Sequence, residues 1–378
     1  MYDIRKYNEV IEASSPTPLS WADSCTHQDC SLHQLSPYIG KLKSVIAKDL
    51  ILKYSQPGQL VVDMFCGSGT VPLEAARLGR RIFASDTSQY AVTLTKGKLY
   101  APTRIESALA DIDRLLKRVE SLPMPDLRSV PRWVRAFFHP RTLKEILRLS
   151  EFLRNEQHYF LLASLLGILH HQRPGFLSYP SSHLVPYLRS NKFPRAAYPE
   201  LYEYRPVAVR LRAKVERALK RPPRNSCHGL VDDIRKSAVE SVNLPDAIDC
   251  VITSPPYMNT LDYGRDNRLR LWFLGESHME AMDRALSDLL GFTNAIKALA
   301  KQLQQKMRRG GYCIFVIGEQ LIRKRDRFPS EELMRIFVTH APTFRLCRVM
   351  SDVIPDVRRS RKRLAGVKRE HILVFRKH

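Results

Sequence analysis

Apolar positions along the chain follow two periods, and the switches between them mark the elements. In "QLVVDMFCGSGTVPLEAARLG", residues 59–79, the apolar pair Val61–Val62 precedes two glycines. Beyond the glycines, apolar residues recur at helical spacing, so the stretch predicts strand, tight turn and helix. Pro72 falls in the first helical turn, where a missing N–H costs little. "RRIFASD" predicts a second strand ending at Asp86, with a helix from Thr87 onward. "AIDCVIT", residues 247–253, holds a short continuous apolar run that predicts a buried strand. That run stops at Thr253–Ser254, and two prolines and a tyrosine follow at once.

The character changes over residues 101–225. "TLKEILRLSEFL" and "YFLLASLLGILHH" carry helical periodicity, and "VAVRLRAKVERALKR" is a basic helix. Between them, residues 172–206 are rich in proline, arginine, tyrosine and phenylalanine. Loops this long inside a globular chain are usually functional. Residues 101–225 are therefore expected to form an inserted, mainly helical lobe between two parts of one α/β domain, 1–100 and 226–378. After the insert, "CHGLVDDIRK" predicts a short strand ending near Asp232–Asp233. A helix closed by Gly310–Gly311 leads into the strand "YCIFVIGE". "TFRLCRVMSDVI" and "REHILVFRK" predict a closing antiparallel pair, joined through the basic run at 358–363.

Composition narrows the class. The chain has 378 residues, 44% of them hydrophobic, enough for a packed core. No apolar run approaches the roughly 18–20 residues that cross a membrane, and the N-terminus lacks a secretory signal layout. A soluble, cytoplasmic protein is expected. Seven cysteines at irregular spacing argue against a disulfide framework. Lys+Arg total 61 against 38 Asp+Glu, a formal charge of +23. A field of that size points to a polyanion, and nucleic acid is the commonest.

Candidate chemistry begins at the glycine turn. Gly67 and Gly69 let the backbone turn tightly and approach a ligand. Asp86 follows about twenty residues on, at the tip of the second strand. This layout suits an adenosine-type cofactor, with a helix N-terminus at one end and a carboxylate for ribose hydroxyls at the other. A nicotinamide fingerprint wants a third glycine where Pro72 stands, which disfavours pyrophosphate. Cys25, His27, Cys30 and His33 form a cluster of soft ligands, but the spacing is tighter than common zinc fingers. It is read as a polar lead-in, with no metal expected.

"DMFCGSGT" followed by "TSPPY" resembles the S-adenosylmethionine-dependent DNA amino-methyltransferases. Phe65, Gly67 and Gly69 match that family's F-x-G-x-G cofactor motif. Ser254, Pro255, Pro256 and Tyr257 match its catalytic motif, (D/N/S)-P-P-(Y/F/W). "LSPYIGKLKSVIAKDLI" is similar to the element that helps hold the methionine end of the cofactor. The resemblance covers roughly residues 33–100 and 226–378. It implies a seven-stranded, mostly parallel Rossmann-like sheet with a reversed last strand, and S-adenosylmethionine as cofactor. It implies cofactor contacts from Tyr38, Lys41, Asp63, Phe65, Gly67, Gly69, Thr70 and Asp86. Asp233 matches the acid near the cofactor adenine, with Asp232 as the adjacent alternative. Asp63 is expected to order the glycine loop. The serine form of the catalytic motif resembles the cytosine-N4 branch more than the adenine-N6 branch.

An exocyclic amine is a poor nucleophile because its lone pair is delocalised into the ring. Acceptors aimed at its N–H groups favour the tetrahedral nitrogen that attack requires. The Ser254 hydroxyl and Pro255 carbonyl are the expected acceptors, held stiffly by two prolines. Tyr257 offers a face for a flipped base. No cysteine follows a proline, which argues against carbon-5 methylation. The implied partner is double-stranded DNA, with a cognate restriction endonuclease as a further one. Amino-methylation of RNA and an inactive nucleic-acid-binding protein are the competing readings. Arg173, Arg189, Lys192, Arg195 and Arg205 of the loop are candidate DNA contacts, as are Arg268, Arg358, Arg359 and Arg361. Asn259, Tyr263 and Arg268 follow the catalytic turn and are candidates to close over the base or contact phosphate, with a structural role as the competing reading.

Overall fold

The computed structural model describes residues 7–21, 30–182, 185–256, 262–276, 289–319, 328–353 and 369–378. Its sheet is built around β2 (Leu60–Asp63), all of whose residues are buried. A strand covered on both faces reads as a continuous apolar run, which is why this stretch does not alternate in sequence. Its side chains alternate in space: Val61 packs into one hydrophobic cluster, Leu60 and Val62 into another across the sheet. β3 (Arg81–Asp86) and β5 (Ile248–Thr253) flank β2 in parallel. β4 (Val231–Lys236) adds to β3, and β6 (Met307–Glu319) to β5, also in parallel. β8 (Arg369–Lys377) runs antiparallel between β6 and β7 (Phe344–Val353). β1 (Ser15–Pro16) adds a two-residue edge strand. The order is β1-β7-β8-β6-β5-β2-β3-β4. This is the mostly parallel α/β sheet with one reversed strand that the sequence predicts, plus an edge strand too short to leave a pattern.

α2 (Ser44–Tyr54), α3 (Thr70–Arg77) and α4 (Gln89–Leu99) cover one face. α11 (Leu289–Lys306) and α12 (Pro329–His340) cover the other, and α1 (Tyr7–Glu12) adds Val10 there. The inserted helices are α5 (Ile105–Glu120), α6 (Arg132–Arg135), α7 (Pro140–Asn155), α8 (Tyr159–Gly167) and α9 (Val207–Ala218). They share the hydrophobic cluster of α2, α3 and α4. α8 is apolar all round and is buried from Phe160 to Gly167, as such a helix must be. It lies directly on α4 where Gly97 faces Ala163. α10 (Tyr263–Phe273) joins the same side.

Two boundaries differ from expectation. The helix before Gly310–Gly311 ends at Lys306, and Met307 already pairs with Ile248 of β5. Lys377 closes that helix: its Nζ donates to the carbonyls of Gln304 at 2.6 Å and Met307 at 2.7 Å, groups a helix end leaves unpaired. β4 runs on to Lys236, past Asp232–Asp233, because it pairs with β3 as far as Asp86.

A Cβ added at Gly97 would lie 2.7 Å from Ala163 Cβ and 2.8 Å from the Tyr159 carbonyl. Helix propensity alone favours alanine over glycine by about 1 kcal/mol. Overpacking against a neighbouring helix costs about 1–3 kcal/mol. Gly97→Ala is therefore expected to lower stability, read as a drop in the urea midpoint. A raised midpoint would show that α8 gives way.

Candidate active site

The carboxyl ends of β2, β3 and β5, with the residues just beyond β4, open onto one cavity. In open α/β sheets this is where ligands bind. The glycine turn forms its floor. Gly67 and Gly69 have φ of +45° and +71°, a region that disfavours side chains. A Cβ on Gly69 would also stand 2.6 Å from Thr95 Oγ1, so this glycine lets α4 approach from behind. A Cβ on Gly67 would meet the Tyr38 ring at 3.2 Å. Tyr38 lines the cavity and stacks near Tyr90 and Tyr263, with centroids 5.9 and 6.0 Å away. Burial pushes its phenol well above the usual range.

Asp86 holds the turn in shape. Its carboxylate accepts the Gly67 and Ser88 backbone N–H groups, each at 2.9 Å. Burial raises this carboxyl, and those N–H groups oppose the shift. Asp63 joins β2 to β5: its Oδ1 accepts the Thr253 hydroxyl at 2.7 Å and the Phe65 N–H at 3.3 Å. Burial pushes this carboxyl up to about 7, against the pull of both donors. Lys98 was not singled out by the sequence. Its buried Nζ donates to the Ser68 carbonyl from beneath the turn, and burial lowers its amine to about 7.

Of the candidates for the cofactor, Tyr38, Lys41, Asp63, Phe65, Gly67, Thr70 and Asp86 line the cavity. Gly69 caps α3 behind it. Lys41 Nζ also donates to the His33 carbonyl at 3.2 Å. Ser254, Pro255 and Pro256 line the opposite wall. Tyr257 and Asn259 lie outside the described residues. Ser88, Ser237, Ala238, Glu240, Tyr263 and Gly264 join the lining. Only Tyr263 among these carried a sequence signal, by following the proline turn.

Asp232 and Asp233 are not brought to the cavity. Asp233 stands beside Phe83 in the β3–β4 register, three residues short of Asp86, so the strand carries it away from the carboxyl end. Asp232 pairs with Arg81 instead, with Nε at 3.0 Å. Asp233 accepts its own neighbour's N–H, from Ile234, at 2.7 Å and pairs with Arg235. His33 meets Glu74 of α3 at 2.7 Å, and Arg77 donates to the same oxygen at 2.6 Å. Cys30 is buried nearby, whereas Cys25 and His27 lie outside the described residues.

The basic candidates divide sharply. Arg173, Lys192 and Arg195 are exposed on the 172–206 loop, and Arg189 is half-buried. Arg205 is buried and works inside the loop: its guanidinium donates to the carbonyls of Phe176 at 2.9 Å and Leu201 at 2.7 Å, and to Ser178. It is a scaffold for the loop, since a guanidinium so enclosed cannot reach a phosphate. Arg268 is half-buried with its Nη2 on the Pro186 carbonyl at 2.7 Å, so it too is engaged internally. Arg358, Arg359 and Arg361 lie outside the described residues.

Two outcomes follow from the carboxylates. Asp86→Asn keeps one acceptor, so the turn is expected to fold while ligand affinity falls by about 1.5–3 kcal/mol per charge-assisted bond lost. Calorimetric titration with S-adenosylmethionine at wild-type affinity would remove Asp86 from the site. Burial holds the Asp63 carboxyl of the folded chain above the ordinary carboxyl value. Its contribution to stability is therefore complete below that value and is lost as pH climbs through about 7. Asp63→Asn is expected to flatten the denaturation midpoint across this window, and an unchanged pH profile would assign the slope elsewhere.

With this geometry established, the chain can be set beside known proteins. The model of a DNA methylase family, N6_N4_Mtase, matches residues 10–97. The chain is 23% identical over 299 residues to the Type II methyltransferase M.BsoBI of Geobacillus stearothermophilus, an alignment covering 72% of this chain and 58% of that relative. It thus spans little more than half the length of that curated protein. Among solved structures, TrmN from Thermus thermophilus aligns at 13% identity and a TM-score of 0.36, covering 92% of this chain and 52% of that one. The rRNA methyltransferase aviRa of Streptomyces viridochromogenes aligns at 14% identity and a TM-score of 0.33, covering 92% and 93%. The family match over residues 10–97 and the similarity to M.BsoBI bear out the resemblance to the S-adenosylmethionine-dependent DNA amino-methyltransferases.

Proposed function

We propose that the protein methylates the exocyclic N4 amine of cytosine in double-stranded DNA, on a base turned out of the duplex. The observation that carries this reading is the single cavity shared by the glycine turn, Asp86 and the Ser254–Pro255–Pro256 turn. S-adenosylmethionine, when bound, supplies an electrophilic methyl group on a sulfonium. The donor set fits it. Asp86 spends two of its lone-pair positions on Gly67 and Ser88, and a carboxylate offers about four, so ribose hydroxyls have acceptors. Two buried carboxyls, Asp63 and Asp86, favour a cationic ligand beside them. Tyr38, Lys41, Phe65, Gly67, Gly69 and Thr70 would complete the hold.

On the base side, Ser254 Oγ and the Pro255 carbonyl accept the N–H groups of the amine. Such acceptors favour the tetrahedral nitrogen, and two prolines hold them without reorganisation. Tyr257 supplies the stacking ring in this reading. The chain forms no covalent bond to the base. The Asp63–Thr253 hydrogen bond, which ends one residue before Ser254, keeps the two halves of the site in register. The serine form of the turn favours cytosine over adenine. Arg173, Lys192 and Arg195 face solvent and supply phosphate contacts. A cognate restriction endonuclease and a cytoplasmic, nucleoid-associated location complete the reading. No helix among the described residues is long and apolar enough to cross a membrane.

Plasmid DNA incubated with the protein and S-adenosylmethionine, then digested to nucleosides, is expected to yield N4-methylcytosine by mass spectrometry. N6-methyladenine would move the substrate to the other branch, and methyl transfer to RNA alone would remove DNA. Ser254→Ala is expected to keep cofactor affinity and lose roughly 10²–10³ in single-turnover rate, by analogy with the loss of one preorganised hydrogen-bonding group. A wild-type rate would take Ser254 out of the mechanism.

A further inference from the structure

α10 is the helix that follows the proline turn, and its first residues, Tyr263 and Gly264, line the cavity. Arg268 lies on the Gly264 face, about 6 Å further along the axis. Its Nη2 donates to the Pro186 carbonyl at 2.7 Å, and its guanidinium stands over the Trp133 ring of α6 at 5.4 Å. Pro186 belongs to a hairpin within the 172–206 loop. Ser181 pairs antiparallel with Leu188, the Ser182 N–H donates to the Tyr187 carbonyl at 3.0 Å, and the Arg189 N–H donates to the Pro180 carbonyl at 2.9 Å. The hairpin is therefore backbone-paired on both sides, and Arg268 fastens its return strand to the helix behind the catalytic turn.

On that return strand Tyr187 is 49% exposed. Hydrogen bonding toward Arg189, and next toward Ser182, holds its phenol below the usual range, and Arg189 donates to Gln172. An exposed ring held beside a guanidinium offers a stacking face together with a cation, the pairing that nucleic acid selects.

We infer that Arg268 is a positioning residue: it seats this hairpin against the catalytic turn, so that Tyr187 and Arg189 contact DNA beside the base being methylated. The inference rests on the DNA methyltransferase reading. Arginine suits the joint because one planar group must both donate to a carbonyl and cover a ring; lysine donates but does not stack. The joint lies apart from the hydrogen bonds that shape the proposed cofactor pocket, which run through Asp63, Thr253, Gly67 and Asp86. It is fixed independently of Arg270, which ties α10 to α8 through the Leu166 carbonyl at 3.3 Å.

The test uses the full chain, with labelled S-adenosylmethionine and plasmid DNA, and compares wild type with Arg268→Met, Arg268→Lys, Tyr187→Ala and the double variant Arg268→Met/Tyr187→Ala. Arg268→Met is expected to lose about tenfold in kcat/KM for DNA, the size of an ordinary coupling between neighbours. Its affinity for S-adenosylmethionine by calorimetry is expected to match wild type. Arg268→Lys should recover part of the loss. The double variant should fall no further than the worse single variant, because both act through one hairpin. Wild-type kcat/KM in Arg268→Met, or strictly additive losses, would overturn the inference while leaving the enzyme reading intact. Should Arg268→Met fail to fold, the surface variant Tyr187→Ala decides the matter, and an unchanged KM for DNA would overturn the placement of the hairpin. A wild-type protein that binds S-adenosylmethionine but methylates no DNA would instead sink the enzyme reading on which the inference stands.

Discussion

A single buried junction holds the site together: the Asp63 carboxyl, the Thr253 hydroxyl and the Phe65 N–H. Phe65 N–H lies 3.1 Å from Thr253 Oγ1 and 3.3 Å from Asp63 Oδ1, so the three groups close a small ring between two strand tips. On one side the chain enters the glycine turn, and on the other it enters the Ser254–Pro255–Pro256 turn. The glycine turn leads into α3 through its cap, Gly69. The mutual position of the two turns is set by this ring and by the β2–β5 pairing that ends just below it. A buried carboxyl is costly unless its lone pairs are met, and here the partners that meet them are also the parts that must be aligned. The pressure on Asp63 and the geometry of the cavity therefore have one cause.

What the sequence revealed follows the range of the interactions. The glycine turn, Asp86 and the proline turn were legible because their chemistry is local, with φ values, helix caps and strand tips written into neighbouring residues. Asp232 and Asp233 misled because their place depends on register, which is set by pairing with β3 and not by the strand's own composition. Lys98 left no signal, since a lysine on a helix reads as solvated until tertiary packing covers it. α10 shows the same limit. It buries Asp266, Asn267 and Arg270, although nothing in "YGRDNRLRLWF" marks a helix of the interior. Such a helix is held by specific partners and not by an apolar stripe, and partners are invisible in one sequence.

The charge of the chain needs the same correction. A small part of it is turned inward, where cations meet main-chain carbonyls. Lys377 closes α11, Lys214 donates to the Gln34 carbonyl at 2.7 Å, and Arg80 donates to the Ser55 carbonyl at 2.7 Å just past the end of α2. Arg205 and Lys98 do likewise in the inserted loop and under the glycine turn. Helix ends and irregular loops expose carbonyls that water cannot reach, and a long cationic side chain satisfies them from a distance. Arg173, Lys192 and Arg195 lie exposed together on one loop, while other exposed cations such as Arg132, Arg135 and Arg141 stand elsewhere.

The insert is packed on the sheet's helices and shares their hydrophobic cluster. In the proposed reading, a loop that contacts phosphates must hold a fixed distance to the turn that receives the base, or binding and chemistry would not occur in one geometry. Gly97 brings α8 into contact with α4, Arg270 ties α8 to α10, and Arg205 gives the loop its internal shape. The path from the exposed cations to Tyr263 at the cavity wall thus runs through packed side chains throughout. The ordering cost of a long, proline-rich loop is met during folding, before any ligand arrives. A floppy lobe would meet it at each encounter, and affinity would fall accordingly. In this chain the residues that resemble surface charge in the sequence are in part the ones that make a basic surface rigid.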